Sequence, residues 1–125
     1  MAKILVIDDE KDIGETLNDL LTKEGYEVEM ANSGEEALSR LKSEVPDLIL
    51  LDVRMPGMDG VEVLKKIREI DKNVPVAMIT AFEDVDLAEK ALRLGAYDYI
   101  KKPFDLEYLR ASILSKVLPG DGSES

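Results

Sequence analysis

Leu48-Ile49-Leu50-Leu51-Asp52 is a run of four aliphatic residues closed by a carboxylate. So short and apolar a run reads as a strand buried on both faces of a parallel sheet. Asp52 then sits where that strand emerges. The following segment, Val53-Arg54-Met55-Pro56-Gly57-Met58-Asp59-Gly60, is dense in turn residues. Open α/β sheets place their chemistry at the carboxyl ends of the strands, and Asp52 occupies such an end.

The flanking sequence repeats the pattern. Lys3 to Ile7 (KILVI) is a second apolar run, and it stops at Asp8-Asp9-Glu10. Ile13, Leu17, Leu20 and Leu21 recur at helical spacing up to Gly25. Tyr26 to Met30 alternates apolar with acidic residues, as a strand with one wet face does. Ser33 and Glu36 have capping-box spacing and open a helix holding Ala37, Leu38 and Leu41. Pro46 introduces the strand Asp47 to Leu51, and Gly60 leads into a helix with Val61, Leu64 and Ile67 on one side. In that context Asp59-Gly60 reads as plain turn chemistry. Pro75 introduces Val76 to Ile79, which ends in Thr80. Asp84 or Asp86 supplies the cap of a helix carrying Leu87, Ala91 and Leu94, closed by Gly95. Tyr97 to Ile100 is the last strand, broken by Lys101-Lys102-Pro103. Asp105 caps a final helix with Leu106, Leu109, Ile113, Leu114 and Val117. Residues 1–118 read as one domain, and 119–125 (PGDGSES) as a flexible tail or the start of a linker.

Five alternations of strand and helix predict an α/β fold: a doubly wound, five-stranded parallel sheet of flavodoxin-like type with helices on both faces. The first, third and fourth strands are apolar throughout and belong in the centre. The second and fifth alternate or carry charge and belong at the edges. The order 2-1-3-4-5 satisfies this and gathers Asp8, Asp9 and Asp52 at the topological switch point.

Composition narrows the chemistry. The 125 residues carry 16 Lys and Arg against 27 Asp and Glu, a net charge of −11. That balance opposes nonspecific binding to nucleic acid or to anionic membranes. With no cysteine and no histidine, disulfides, thiolate metal sites and a histidine base are excluded. No apolar run reaches membrane-spanning length and no signal-peptide pattern is visible, so a cytoplasmic protein is expected.

Three carboxylates converging on one crevice repel each other unless a pKa rises or a cation joins them. With oxygen donors alone, Mg²⁺ is the natural cation. Beside it Asp52 is a competent nucleophile toward phosphorus, forming an aspartyl phosphate. Lys102 would neutralise one phosphoryl oxygen and the Thr80 hydroxyl would donate a hydrogen bond to another. Taken singly, each residue has a plainer role. Asp8 or Asp9 serves equally as an N-cap, Thr80 as a turn residue and Lys102 as a solvated edge lysine. A cap needs one acid, yet the first loop has three in a row.

Together, VIDDE (Val6 to Glu10), LILLDVRMPGMDG (Leu48 to Gly60), MITA (Met78 to Ala81) and GAYDYIKKPF (Gly95 to Phe104) closely resemble the receiver domain of two-component response regulators. The likeness is to the stand-alone chemotaxis and sporulation-phosphorelay type. The resemblance implies that Asp52 is the phosphoacceptor. It implies that Asp9, Asp52 and the backbone carbonyl of Arg54 bind Mg²⁺, with Asp8 acting through water. Thr80 and Lys102 would contact the phosphoryl group. The bond between Lys102 and Pro103 would be cis, and Tyr99 would be the switch aromatic. Phosphorylation would draw Thr80 inward, let Tyr99 follow and remodel the surface of the fourth helix, fifth strand and fifth helix. The implied donor is a histidine kinase or a histidine phosphotransfer protein, docking near the first helix, where Ile13 is a candidate contact. The implied output is a downstream effector or a fused domain. The implied assembly is a monomer or a phosphorylation-dependent dimer. The chain would be no enzyme beyond catalysing its own phosphorylation and dephosphorylation. Arg54 and Phe82, two residues beyond Asp52 and Thr80, would shield the phosphoryl group from water.

Two other readings share parts of this pattern. A Mg²⁺-dependent phosphatase of the haloacid dehalogenase type also uses an aspartate nucleophile. It needs an acid where this chain has Arg54, which cannot donate a proton. A flavodoxin-like cofactor binder shares the sheet order, but Asp8, Asp9 and Glu10 would repel its phosphate.

Overall fold

The computed structural model describes residues 2–55 and 57–119, with the side chain of Phe82 outside the description. The elements run β1 (Lys3–Ile7), α1 (Lys11–Lys23), β2 (Glu27–Ala31), α2 (Gly34–Ser43), β3 (Leu48–Asp52), α3 (Gly60–Ile70), β4 (Val76–Thr80), a single 3₁₀ turn (Phe82–Asp84), α4 (Val85–Arg93), β5 (Asp98–Lys101) and α5 (Leu106–Leu114). All strand pairs are parallel and the order is β2-β1-β3-β4-β5, as expected.

Side-chain alternation along the strands divides the core in two. Leu5, Ile7, Ile49, Leu51, Val76 and Met78 point to one face, where Ala37, Leu41, Leu64, Ile67, Ala88 and Ala91 of α2, α3 and α4 cover them. Ile4, Val6, Leu48, Leu50, Ala77 and Ile79 point to the other, under Leu17 and Leu21 of α1 and Leu109 and Ile113 of α5. Every side chain from Leu48 to Leu51 is fully buried. Each contributes about 2 kcal/mol of burial, and truncating Leu50 to alanine would cost about 3 kcal/mol. This is why the quoted run decides the fold: a strand with two dry faces belongs only at the centre of a covered sheet.

The edges behave differently. β2 starts one residue later than expected, because the Tyr26 N–H closes back on Leu21 and the Glu27 N–H bonds Ala2. β5 is likewise shifted by one, to Asp98–Lys101. α5 ends at Leu114, so Val117 lies past it, and Leu106 and Leu114 are exposed.

The caps correct three local readings. Asp59 is more than a turn residue: its carboxylate accepts from Glu62 N–H at 2.9 Å and Glu62 returns a bond to Asp59 N–H, a complete capping box on α3. Ser33 accepts from Glu36 N–H, but the Glu36 carboxylate takes Asn32 N–H instead of the Ser33 N–H. Asp84 holds the N-cap position of α4 without capping it, while Asp86 lies inside the helix. Asp105 caps α5 as expected, accepting from Glu107 and Tyr108 N–H.

Candidate functional site

The register aligns the carboxyl ends of the central strands. Ile7 pairs with Leu51, which places Asp8 beside Asp52, and Asp52 pairs with Ile79 one residue before Thr80. The loop after Asp52 folds back tightly. Gly60 N–H bonds the Val53 carbonyl at 2.7 Å, and a Cβ on Gly60 would run into the carbonyl oxygen of Asp52. Only glycine permits so close an approach, and Gly57 in the same loop has φ +85°. This packing fixes α3 directly beneath the end of β3.

Asp8, Glu10 and Asp52 bring carboxylate oxygens to within 4.8 Å of one another. Asp8 and Asp52 are buried and Glu10 is exposed. Lys102 is one residue beyond β5, yet its ammonium reaches this group: Nζ lies 3.1 Å from Glu10, 3.5 Å from Asp52 and 4.0 Å from Asp8. Its own N–H anchors it by bonding the Thr80 carbonyl at 2.8 Å. Asp52 Oδ1 accepts from Arg54 N–H at 3.2 Å, and Asp8 Oδ1 accepts from Glu10 N–H at 2.8 Å. Asp8 Oδ2 has no hydrogen-bond partner, the one such buried side-chain atom among the described residues.

Burial pushes the Asp8 carboxyl up to about 7, and the neighbouring Asp52 charge adds to this against the opposing Glu10 N–H and Lys102. Burial also raises Asp52, although Arg54 N–H and Lys102 pull it back. Burial alone would lower Lys102, but Glu10, Asp52 and Asp8 together hold it above its ordinary value.

The donor set fits a hard divalent cation. It consists of oxygen ligands alone, two of them buried, with one oxygen of Asp8 unpartnered. Its membership differs in part from the sequence expectation. Asp8 and Asp52 converge, whereas Asp9 is exposed and outside the group. Glu10 belongs to the group and was not singled out. Its signal was the third acid of Asp8-Asp9-Glu10. Thr80 is fully buried at the end of β4, its hydroxyl donating to the Ala81 carbonyl at 3.0 Å. The bond between Lys102 and Pro103 is cis. Tyr99 is half-buried and lines a hollow of about 410 Å³ with Asp98, Lys101, Pro103, Asp105 and Tyr108. Ile13 packs partly against the core on the α1 face. The Arg54 guanidinium is held by Asp84, Nε to Oδ1 at 2.6 Å. Its supposed shielding partner, the Phe82 side chain, lies outside the described residues.

A doubly wound sheet with carboxylates and a lysine clustered at its switch point places the chain among α/β domains with an acidic site at the carboxyl ends of the strands. The family model for the response regulator receiver domain matches residues 4–114, and the chain belongs to that family, within two-component signalling. It is 42% identical over 117 residues to sporulation initiation phosphotransferase F of Bacillus subtilis (strain 168), covering 94% of each chain. It is 42% identical over 107 residues to the regulatory protein AtoC of Escherichia coli (strain K12), covering 86% of this chain but 23% of that protein. A crystal structure of a response regulator receiver domain protein from Clostridium thermocellum superimposes with a TM-score of 0.88 at 34% identity, covering 93% of this chain and 94% of that one. The chain thus spans nearly all of one relative and about a quarter of another. Membership leaves the haloacid dehalogenase and flavodoxin alternatives without support. No helix among the described residues is long and apolar enough to cross a membrane.

Proposed function

We propose that the protein is a phosphorylation-activated switch that accepts a phosphoryl group on Asp52 from a histidine kinase or histidine phosphotransfer protein. The observation that carries this reading is the unpartnered, buried Oδ2 of Asp8 beside Asp52 and Lys102. A buried carboxylate oxygen that has no hydrogen bond and meets only an ammonium 4.0 Å away is costly, and it persists where a ligand or reaction uses it.

In this reading Asp8, Asp52 and Glu10 hold Mg²⁺, and the family likeness adds Asp9 and the Arg54 carbonyl. The ion, when bound, neutralises phosphoryl oxygens and eases their approach to the acidic crevice. Asp52 supplies the nucleophilic oxygen. The bond from phosphorus to the donor's imidazole nitrogen breaks as the bond to the Asp52 oxygen forms, and the imidazole takes up a proton. Lys102, already 3.5 Å from Asp52, is placed to pair with a phosphoryl oxygen. Thr80 would turn its hydroxyl from Ala81 to another oxygen, and Tyr99 would move into the space this frees. The surface of α4, β5 and α5 would then change for an effector or a fused output domain. The same crevice would catalyse loss of the phosphoryl group to water. Residues 1–118 form the receiver in this reading, 119–125 the tail or linker, and the protein works in the cytoplasm as a monomer or a phosphorylation-dependent dimer.

The test is intact-mass measurement after incubation with acetyl phosphate. One phosphoryl addition that needs Mg²⁺ and vanishes in Asp52→Asn supports the reading. No addition to the wild-type protein, or an unchanged addition in the variant, overturns it.

A further inference from the structure

α4 begins without its cap. Asp84 stands at the N-cap position with the residue type that best fills it, yet makes no side-chain bond to the helix. Its carboxylate is instead held by Arg54 at 2.6 Å, and Asp84 is 5% exposed whereas the Arg54 side chain is 70% exposed. An acid at a helix start that makes no bond to the helix and is held instead by a guanidinium is responding to a stronger partner. That partner has a second attachment: the Arg54 backbone N–H bonds Asp52 Oδ1. Two residues, Arg54 and Asp84, therefore link Asp52 to the start of α4, through the adjoining ends of β3 and β4.

We propose that Asp84 is a positioning residue that exchanges partners with the phosphoryl group. In the free protein it holds the Arg54 guanidinium. When Asp52 carries a phosphoryl group, the added charge of about −1 to −2 lies within reach of that side chain. A guanidinium matches phosphoryl oxygens in charge and in fork geometry. Arg54 moves to the phosphoryl group, and the released Asp84 carboxylate turns to the N–H groups of Asp86 and Leu87 and caps α4. The site thus delivers a helix cap to α4, one of the three elements of the proposed output surface. This inference rests on the proposed phosphoacceptor role of Asp52 and adds to it a route from that residue to α4.

The experiment is amide hydrogen exchange in the first turn of α4, with and without Mg²⁺ and beryllofluoride as the phosphoryl stand-in. Fluorine NMR reports occupancy in the same samples. In the wild-type protein, exchange at Asp86 and Leu87 slows about fivefold on beryllofluoride binding, the factor one side-chain cap supplies. In Arg54→Ala the freed Asp84 caps α4 from the start, so exchange is slow before beryllofluoride is added. Asp84→Asn behaves the same way, because asparagine caps as well as aspartate and has weaker hold on Arg54. A pair that merely fastened two loops would give the opposite result, faster exchange in both variants, and that result overturns the exchange of partners. So does wild-type protein that binds beryllofluoride with unaltered exchange in α4. Failure to bind beryllofluoride at all overturns the Asp52 reading, and the inference with it.

Discussion

The two ends of β1 each lie beside one lysine among three carboxylates. At the amino end, Lys3 Nζ meets Glu44 at 2.7 Å, Glu29 at 3.4 Å and Glu27 at 3.7 Å. At the carboxyl end, Lys102 Nζ meets Glu10 at 3.1 Å, Asp52 at 3.5 Å and Asp8 at 4.0 Å. The formal charges are the same. The difference is solvent. Each glutamate around Lys3 is at least 37% exposed at its side chain, so water screens the surplus charge. Around Lys102 Glu10 is 60% exposed, but the Asp8 and Asp52 side chains are 1% and 7% exposed, and one Asp8 oxygen has no hydrogen-bond partner. Identical charge counts therefore make a water-screened cluster at one end and a desolvated one at the other. Burial, more than charge, distinguishes the end at which the phosphoacceptor is proposed.

Substitutions at the two ends should separate accordingly. The largest effect is expected from Lys102→Ala, which removes the cation facing Asp52 and lowers the rate of phosphorylation by acetyl phosphate about a hundredfold; single-turnover rates followed by intact mass check this. Lys3→Ala should leave that rate within about twofold, and a comparable loss there would erase the distinction between the ends. Next, Asp8→Asn relieves a buried charge and should stabilise the metal-free protein by about 1–3 kcal/mol in urea unfolding at pH 8. Glu29→Gln should change stability by less than about 0.5 kcal/mol. Destabilisation by Asp8→Asn would mean that Lys102 already balances the crevice.

A pH series sharpens the same contrast. Folded Asp8 keeps its proton up to about pH 7, against 3.8 for the ordinary carboxyl. Between these values the folded state binds more protons than the unfolded state, so stability of the metal-free protein falls as pH rises through the window. The full penalty is present above pH 7, and Asp8→Asn should flatten the slope. The smallest effect belongs to the surface cluster: raising the salt concentration should shift the stability of Glu29→Gln and wild type by nearly equal amounts.

What was legible in the sequence follows this division. Unbroken apolar runs have one stable home, so β1, β3 and β4 and their central placement could be read directly, and with them the acids that end two of those runs. Side-chain direction is a different matter. Nothing in Asp8-Asp9-Glu10 says which acids turn inward, because all three are equally soluble and the choice is made by the chain's path out of β1. Asp8 turns inward while Asp9 and Glu10 stay exposed, and Glu10 joins the carboxylate group by reaching over it from the surface. Asp84 or Asp86 was read as the cap by type and position, but neither caps α4: Arg54, which claims the Asp84 carboxylate, lies thirty residues away and leaves no local trace. Asp59 was the opposite case: Glu62 three residues on signalled the capping box, and the adjacent glycine drew the reading to a turn.

The most direct test of the central claim is a Mg²⁺ titration of the urea-unfolding midpoint at pH 8, for wild type and Asp52→Asn. The account predicts that wild-type stability climbs with the logarithm of Mg²⁺ concentration once the site begins to fill and that the variant responds much more weakly. A wild-type midpoint indifferent to Mg²⁺, or an equal rise in both proteins, would contradict it.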